Sequence, residues 1–157
     1  MYARDFTNAQ YRGAGTVARQ QLDLYDAPQL LYRATSAENA WLEFPFEVKQ
    51  KEPLRLLINA TKADDYGRYQ ASLNGVKLGG PLDFYGDKIV DQEFHLLDFW
   101  PEPGNYTLRL ECVGRNARSD GYFCGIESVR LRERRPRVTT YGFDKDKDWK
   151  QKQILYR

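Results

Sequence analysis

Hydrophobic and polar residues alternate with a period of two along several short segments, which is the pattern of β-strands with one buried face. No long segment has the 3.6-residue period of an amphipathic helix. Glycine, proline and asparagine separate the segments, so the pattern predicts short antiparallel strands joined by tight turns. The predicted strands cover residues 17–24, 30–34, 41–48, 54–60, 68–73, 92–97, 105–112 and 122–131.

Two local features constrain how these strands are used. The pair Asn74-Gly75 directly follows the run 68–73 and favours a type I′ hairpin turn, because both central positions of that turn need φ > 0. Pro45 lies inside the strand 41–48 and has no N–H, which predicts an edge strand or a bulge there. Together with the strand pattern, these features predict an all-β fold, an antiparallel β-sandwich that buries one face of each sheet.

The composition of the chain changes on either side of the alternating segments. Residues 1–16 are polar and glycine-rich, whereas residues 132–157 begin with an arginine-rich run and continue with alternating acids and bases. We therefore expect an N-terminal arm (1–16), a β-sandwich domain (17–131) and a C-terminal tail or linker (132–157). The aromatic residues of the tail, among them Trp149, are candidate anchors on the domain or on a partner.

Charge and cysteine content narrow the function classes. The 24 basic and 22 acidic residues give a net charge of +2, which provides no general electrostatic case for binding nucleic acid or an anionic membrane. No apolar run approaches the roughly 20 residues that span a bilayer. Cys112 and Cys124 do not match a metal motif, and His95 is distant from both. The two cysteines fit either a cross-strand disulfide in an exported protein or two buried thiols.

A series of short motifs follows the order of the predicted strands. They are the inward Phe44-x-Phe46 pair, Asp65-Tyr66-Gly67, the Asn74-Gly75 hairpin, Pro81-x-Asp83-x-Tyr85, Pro103-Gly104-Asn105-Tyr106, and Gly121-Tyr122-x-x-Gly125-Ile126-Glu127. This order resembles the galactose-binding-like jelly-roll domains, over roughly residues 17–132. It looks most like the carbohydrate-binding-module-like accessory domains attached to exported bacterial proteins that act on glycans.

The resemblance implies a jelly roll of about eight strands in two sheets. Most domains of this kind bind sugars or pack against a catalytic domain, and many hold one structural calcium ion. By this analogy Glu127, together with Asp23 or Asp26, is the predicted calcium site, since calcium takes oxygen ligands. The first residues lack the apolar segment of a secretory signal, and we expect an extracellular or periplasmic domain of a larger exported protein.

The predicted ligand site begins with two acidic and aromatic loops. Its residues there are Asp64, Asp65, Tyr66, Arg68, Asp83 and Tyr85. Aromatic faces pack on the C–H groups of sugars, while charged groups bond to hydroxyls. The alternative is a purely structural turn, in which an aspartate caps backbone N–H groups and a tyrosine packs into the core.

Further ligand-binding candidates lie elsewhere in the chain. Arg115, Asn116 and Tyr122 belong to a polar loop and offer good donors to hydroxyls and carboxylates. A solvated hairpin loop is the alternative for them. Trp100, in a proline-rich turn, is a candidate sugar platform or an anchor beneath a neighbouring loop or domain.

Three functions are compatible with these features. The leading hypothesis is a noncatalytic module that binds an oligo- or polysaccharide through loop and surface aromatic residues. The second is a structural domain that assembles with itself, a partner subunit or a catalytic domain. The third is a glycan-active hydrolase that uses Asp65 or Asp83, and it needs two carboxyl groups with opposed pKa values.

Overall fold

The computed structural model describes residues 9–134 of the 157-residue chain. Within this range the chain forms eleven β-strands and no helix, and it therefore contains no helix that could cross a membrane. The strands are β1 (Gln10–Arg12), β2 (Gly15–Gln20), β3 (Gln29–Ala34), β4 (Trp41–Val48), β5 (Leu54–Lys62), β6 (Arg68–Leu73), β7 (Val76–Lys77), β8 (Leu82–Asp83), β9 (Val90–Phe99), β10 (Gly104–Gly114) and β11 (Cys124–Glu133).

The strands form two sheets, each held by antiparallel ladders. Sheet I has the strand order β1-β4-β10-β6-β7, with β8 also paired to β6. Sheet II has the order β2-β3-β11-β5-β9. The predicted all-β antiparallel sandwich is confirmed.

The core lies between the sheets and consists of the residues that the alternation places inward. On β4 and β10 these residues are buried, while their neighbours in sequence face outward. The largest fully buried core side chains include Tyr32, Tyr69, Phe84, Leu42, Leu56, Ile58, Leu108, Leu110 and Ile126. Each such side chain contributes about 1.5–3 kcal/mol by leaving water, so the period-two pattern also fixes the register of each strand.

The two local predictions about turns and edges are confirmed. Asn74 and Gly75 have φ values of 46° and 83°, as a type I′ turn requires. The side chain of Asn74 also accepts a hydrogen bond from the Thr107 N–H at 2.8 Å. β1 pairs with β4 only at residues 41–43, so β4 is an edge strand at Pro45. The missing N–H of Pro45 therefore leaves no gap in the β1–β4 ladder.

The segment 21–24 differs from its prediction because it lies outside the sheet. β2 ends at Gln20 rather than at residue 24, and the following loop packs on the outer face of sheet II. There the Tyr25 hydroxyl lies 2.7 Å from Thr61 Oγ1, which donates to Gln29 Oε1 at 2.6 Å. Burial raises the pKa of Tyr25 to about 12. The first six residues of β11 are also buried.

The structure places strands beyond both limits of the predicted sandwich domain. β1 and the start of β2 fall within the predicted arm 1–16, and β1 pairs with β4. At the other end β11 continues to Glu133, and the Arg134 N–H donates to Pro53 O at 2.8 Å. The division into arm, domain and tail stays a prediction, and residues 1–8 and 135–157, including Trp149, lie outside the described part of the chain.

Cys112 on β10 and Cys124 on β11 are both free and buried. Of the two alternatives that the sequence leaves open, the structure therefore has two buried thiols. Burial raises the pKa of each thiol, which keeps both in the neutral, unreactive form.

Candidate functional site

Three loops meet at one end of the sandwich, which we call the loop end. They are the β5–β6 loop (63–67), the β8–β9 loop (84–89) and the β10–β11 loop (115–123). Isolated bridges join Ala63 to Tyr85 and Tyr66 to Phe123. The structure therefore brings together the two predicted acidic and aromatic loops and the predicted polar loop. Loops at one end of a rigid sandwich are often neighbours in this way.

A buried serine holds two of these loops together. Ser119 is 5% exposed, and its Oγ lies 2.6 Å from the Tyr66 carbonyl oxygen. The adjacent Asp120 N–H donates to Asp64 O at 2.8 Å. A Cβ on Gly121 would lie only 2.7 Å from Asp65 O, so this close approach requires glycine. The β5–β6 and β10–β11 loops are thus joined by one buried hydroxyl and by contacts between backbone atoms.

The carboxylate of Asp83 connects the other pair of loops. Asn116 Nδ2 donates to Asp83 Oδ2 at 2.8 Å, and the Tyr85 N–H donates to Asp83 Oδ1 at 3.0 Å. Asn116 Oδ1 in turn accepts the Arg118 N–H at 3.0 Å. Because both carboxylate oxygens have partners in the chain, Asp83 acts as a clamp between loops.

Arginine side chains lie against the aromatic rings of the loop end. The guanidinium of Arg118 is 5.4 Å from the Tyr85 ring centroid, and that of Arg115 is 5.2 Å from the Tyr122 ring centroid. Arg68 is the Cα partner of Asp83 in the β6–β8 ladder. The predicted residues Arg68, Tyr85, Arg115, Asn116 and Tyr122 are thus brought together. Arg118 belongs to the same loop but was not among the predicted site residues, since its contact with Tyr85 leaves no mark in the sequence.

Beside these loops lies a groove of about 300 Å³, which we call the loop-end groove. Leu31, Ile89 and Phe123 give it an apolar floor and wall. Its polar lining includes Gln20, Arg33, Asp64 and Asp65. Arg33, Ile89 and Phe123 could not be chosen from sequence, because alternation shows which residues face outward but not which of them flank a loop.

Asp65 lines this groove, and its pKa is raised above its ordinary value. Burial raises its pKa, a backbone hydrogen bond opposes the rise, and the nearby carboxylates of Asp64 and Asp120 add to it. Asp64 is exposed. The groove therefore combines an apolar surface with the carboxylate acceptors of Asp64 and Asp65 and with one exposed cation, Arg33. A small ligand could contact all of these groups at once.

Tyr66 lines the groove but is 5% exposed. Its hydroxyl accepts a hydrogen bond from Gln29 Nε2 at 3.3 Å, and its ring packs 6.4 Å from that of Phe123. Burial raises the pKa of Tyr66 far above its ordinary value. For this residue the geometry fits the structural alternative, a tyrosine that packs into the core.

Trp100 lies at the opposite end of the sandwich. In the β5–β9 ladder, Lys62 pairs with Val90 near the loop end, whereas Leu54 pairs with Phe99, directly before Trp100. Eight residues of extended strand separate the two levels by about 26 Å. A single ligand of small size cannot contact both Trp100 and the loop-end groove.

The structure describes the surroundings of the three predicted calcium ligands. Glu127 is 4% exposed, while Asp23 and Asp26 are exposed. The Glu127 carboxylate lies 3.5 Å from Asn59 Nδ2 and 3.7 Å from Arg130 Nη2. Residues 9–134 contain no cluster of three or more acidic, histidine or cysteine side chains that could hold a metal. Calcium also takes backbone carbonyl oxygens as ligands, so a calcium site at Glu127 with Asp23 or Asp26 stays a prediction.

Solved structures with the same fold include carbohydrate-active proteins and their modules. The chain aligns with xanthan lyase from Paenibacillus at 22% identity and a TM-score of 0.67, over 80% of this chain and 12% of that protein. It aligns with the family 35 carbohydrate-binding module from Paenibacillus barcinonensis at 11% identity and a TM-score of 0.52, over 85% and 98%. It aligns with a family 36 module in complex with calcium and xylotriose at 10% identity and a TM-score of 0.51, over 84% and 98%.

The chain has the fold of these carbohydrate-binding modules. The predicted resemblance to a carbohydrate-binding-module-like jelly roll is confirmed at the level of fold. The chain spans only 12% of the length of the xanthan lyase, whereas it spans nearly all of the isolated modules. No family model matches the sequence, and no curated relative matches it either.

Proposed function

We propose that this chain is a noncatalytic carbohydrate-binding module whose ligand occupies the loop-end groove. The observation that carries the proposal is the combination of an apolar wall at Ile89 and Phe123 with polar groups at Arg33, Asp64 and Asp65 in one groove. A sugar has both C–H faces and hydroxyl groups. The apolar wall of the groove can pack against the C–H faces, and its polar groups can form hydrogen bonds with the hydroxyls.

The exposed loop residues extend this site. The guanidinium of Arg118 lies against Tyr85 and that of Arg115 against Tyr122, both in the loops that meet at the loop end. A ligand that leaves the groove across these loops would meet guanidinium donors, which bond well to hydroxyls and carboxylates. The shallow shape predicts weak, rapidly reversible binding of an oligo- or polysaccharide, because little ligand surface is buried.

A binding role fits the carboxylates better than hydrolysis does. Asp83, one of the two predicted catalytic candidates, has both oxygens bonded to Tyr85 and Asn116 within the loops and does not line the groove. Of the predicted Asp65–Asp83 pair, only Asp65 lines the groove, so the two carboxyl groups that glycoside hydrolysis ordinarily uses are not supplied there by that pair. We therefore assign the chain no catalytic step.

The cellular setting is part of the same proposal. We propose that the module belongs to a larger exported protein, with a catalytic domain as its neighbour in the chain. Its small share of the xanthan lyase supports this arrangement. A module that keeps an enzyme on its polysaccharide raises the local substrate concentration without contributing chemistry of its own.

The proposal is tested by screening the full chain against a glycan array and insoluble polysaccharides, with and without a calcium chelator. Any hit is then measured by calorimetry with Arg33→Ala/Asp64→Ala. Both residues are exposed, so the fold should survive. The loss of two or more hydrogen bonds is expected to weaken binding by about tenfold or more.

The matched control is Lys49→Ala/Glu102→Ala, which removes one cation and one anion at exposed positions outside the groove. Its affinity should equal that of the unmodified chain. Trp100→Ala should also bind normally, since Trp100 lies at the other end. Equal affinities for the groove variant and the control would show that the ligand does not bind in this groove. If no glycan binds at all, the proposed function is wrong.

A further inference from the structure

The hairpin turn between β6 and β7 places an asparagine directly before a glycine at the surface. Asn74 and Gly75 are both exposed, and their φ values are 46° and 83°. A Cβ on Gly75 would meet nothing within 4 Å, so the backbone nitrogen of Gly75 is not crowded on that side. The Asn74 side chain carries an amide carbonyl, which is an electrophile, and asparagine is a thermolabile residue. The turn therefore holds an electrophile and the next backbone nitrogen together in open solvent.

A neighbouring strand polarises the Asn74 side-chain carbonyl. The Thr107 N–H of β10 donates to Asn74 Oδ1 at 2.8 Å, and the Asn74 N–H donates to Thr107 O at 3.0 Å. When a nucleophile adds to Asn74 Cγ, negative charge develops on Oδ1. An N–H donor about 2.7–3.1 Å from such an oxygen has the geometry that stabilises an oxyanion. The fold thus supplies a fixed donor to the atom on which charge would develop.

The attacking and leaving nitrogens are both unengaged. Within residues 9–134, neither the Gly75 N–H nor Asn74 Nδ2 makes a hydrogen bond. The Gly75 N–H can therefore lose its proton to solvent, and Nδ2 can leave as ammonia, without the loss of a contact inside the chain. Attack at Asn74 would break no hydrogen bond of the sandwich.

Two other asparagines of the sandwich lack this combination. Asn39 is exposed and has a φ of 51°, but the following residue, Ala40, is 0% exposed and its N–H donates to a carbonyl oxygen at 3.5 Å. Both ends of the Asn116 amide are bonded: Nδ2 donates to Asp83 at 2.8 Å, and Oδ1 accepts a backbone N–H at 3.0 Å. Asn39 and Asn116 are therefore internal references for the reactivity of Asn74.

We infer that Asn74 is a self-modification site, at which the chain converts its own side-chain amide through a cyclic imide with Gly75. The Gly75 nitrogen loses its proton to solvent and forms a bond to Asn74 Cγ, while the Cγ–Nδ2 bond breaks and ammonia leaves with a proton from water. Water then adds to one of the two imide carbonyl carbons and opens the ring. The sum is one water consumed and one ammonia released, with no oxidation or reduction.

The two possible products change the β6–β7 hairpin differently. Ring opening at the backbone carbonyl leaves an isoaspartate, which lengthens the main chain at the turn by one carbon. A two-residue turn fixes the pairing of Leu73 with Val76, so this product should open the β6–β7 ladder. Ring opening at Cγ leaves an aspartate. Its carboxylate would join a concavity of about 310 Å³ on the outer face of sheet I, which Lys77 and Arg109 also line.

The test is peptide mapping of the full chain after incubation at neutral and mildly alkaline pH. Trypsin cleaves after lysine and arginine and releases residues 69–77, in which Asn74 is the only asparagine, and residues 34–49, which contain Asn39. Mass spectrometry should find aspartate and isoaspartate forms of peptide 69–77, and more of them at the higher pH, while Asn39 and Asn116 stay amides. An intact Asn74, or equal conversion of all three asparagines, would overturn the inference.

Variants separate the part of the fold from that of the dipeptide. Thr107→Pro removes the N–H that faces Asn74 Oδ1, and conversion should become slower by about tenfold or more. Its matched control, Thr107→Val, keeps that N–H and should convert at the unmodified rate. Gly75→Asn, a residue that tolerates positive φ, crowds the attacking nitrogen and should also slow conversion; it decides the matter if Thr107→Pro does not fold. Equal rates in a folded Thr107→Pro and its control, or in Gly75→Asn and the unmodified chain, contradict the inference.

Discussion

Asp98 is a buried carboxylate in sheet II, at the end of the sandwich opposite the loop end. Its replacement is a sharp test of the packing there, because three basic side chains share it as a partner. It is 3% exposed. Arg55 Nε donates to it at 2.8 Å, His95 Nε2 lies 2.8 Å away, and Arg134 Nη1 lies 2.7 Å away. These contacts join β5, β9 and the end of β11. The variant Asp98→Ala removes the shared partner of all three groups.

The expected loss follows from the exposure of the partners. Removing one member of a buried ion pair costs about 3–5 kcal/mol, because the remaining charge stays buried. Here the side chains of Arg55, His95 and Arg134 are 34%, 46% and 20% exposed, so water can partly replace the lost contacts. We therefore expect a loss of about 2–4 kcal/mol in the free energy of unfolding.

Urea denaturation followed by circular dichroism at pH 7 measures this loss. With a denaturant slope of about 2 kcal/mol per M, the midpoint should fall by about 1–2 M. The control is Glu102→Ala, which breaks the exposed pair Lys51–Glu102 and should change stability by less than about 1 kcal/mol. A midpoint for Asp98→Ala within error of that control would refute the reasoning.

The pH dependence gives an independent check on the same residue. Burial raises the pKa of Asp98, but the Arg55 hydrogen bond and the charges of Arg134 and His95 outweigh it, so the pKa is lowered below 3.8. A depressed acid stabilises the fold above its unfolded pKa and loses that effect as pH falls through its folded value. The difference in unfolding free energy between the unmodified chain and Asp98→Ala should therefore shrink as the pH falls below about 4.

Three further outcomes are expected. Truncation after Leu131 removes Arg134 and its contacts, so its urea midpoint should lie below that of a chain truncated after Arg134; equal midpoints would mean that the domain ends at Leu131. Gly125→Ala places a Cβ 2.4 Å from a buried glutamine oxygen and should cost about 1–3 kcal/mol in a thermal melt, whereas an unchanged melt would show that the neighbour yields. Cys112 and Cys124 should react with a thiol reagent only as fast as the chain unfolds, and rapid labelling of the native protein would contradict their burial.

The strand pattern predicts the fold well because burial itself imposes it. Every second residue of β4 and β10 faces the core, and hydrophobic side chains at those positions fix both the strand and its register. The sequence also predicts the type I′ turn at Asn74-Gly75, because few residue pairs tolerate the positive φ values of that turn. The prediction is wrong for residues 21–24, which belong to the loop that buries Tyr25 and not to a strand. A loop that packs on the outside of a sheet has no periodic pattern in the sequence.

The candidate site is predictable only in part, for a related reason. Loops of unusual composition could be found, and the structure does bring Asp83, Tyr85 and Asn116 together. Their roles could not be found, because Tyr66 looks like a binding residue in sequence and is buried in the structure. Trp100, a separate candidate in the sequence, lies at the other end of the sandwich according to strand pairing. Both placements depend on distances between segments that are remote in sequence.

The same geometry explains how a binding site can vary on this fold without loss of stability. Ser119 and the bare Cα of Gly121 hold the loops through backbone atoms, and Asn116 bonds to Asp83 beneath the surface. The exposed side chains that surround the groove, such as Arg33, take no part in those contacts. Substitution of the exposed residues should therefore change affinity with little change in stability, whereas substitution of Ser119 should disturb both. In the proposed site, the residues that build the loops would therefore be different from the residues that select the ligand.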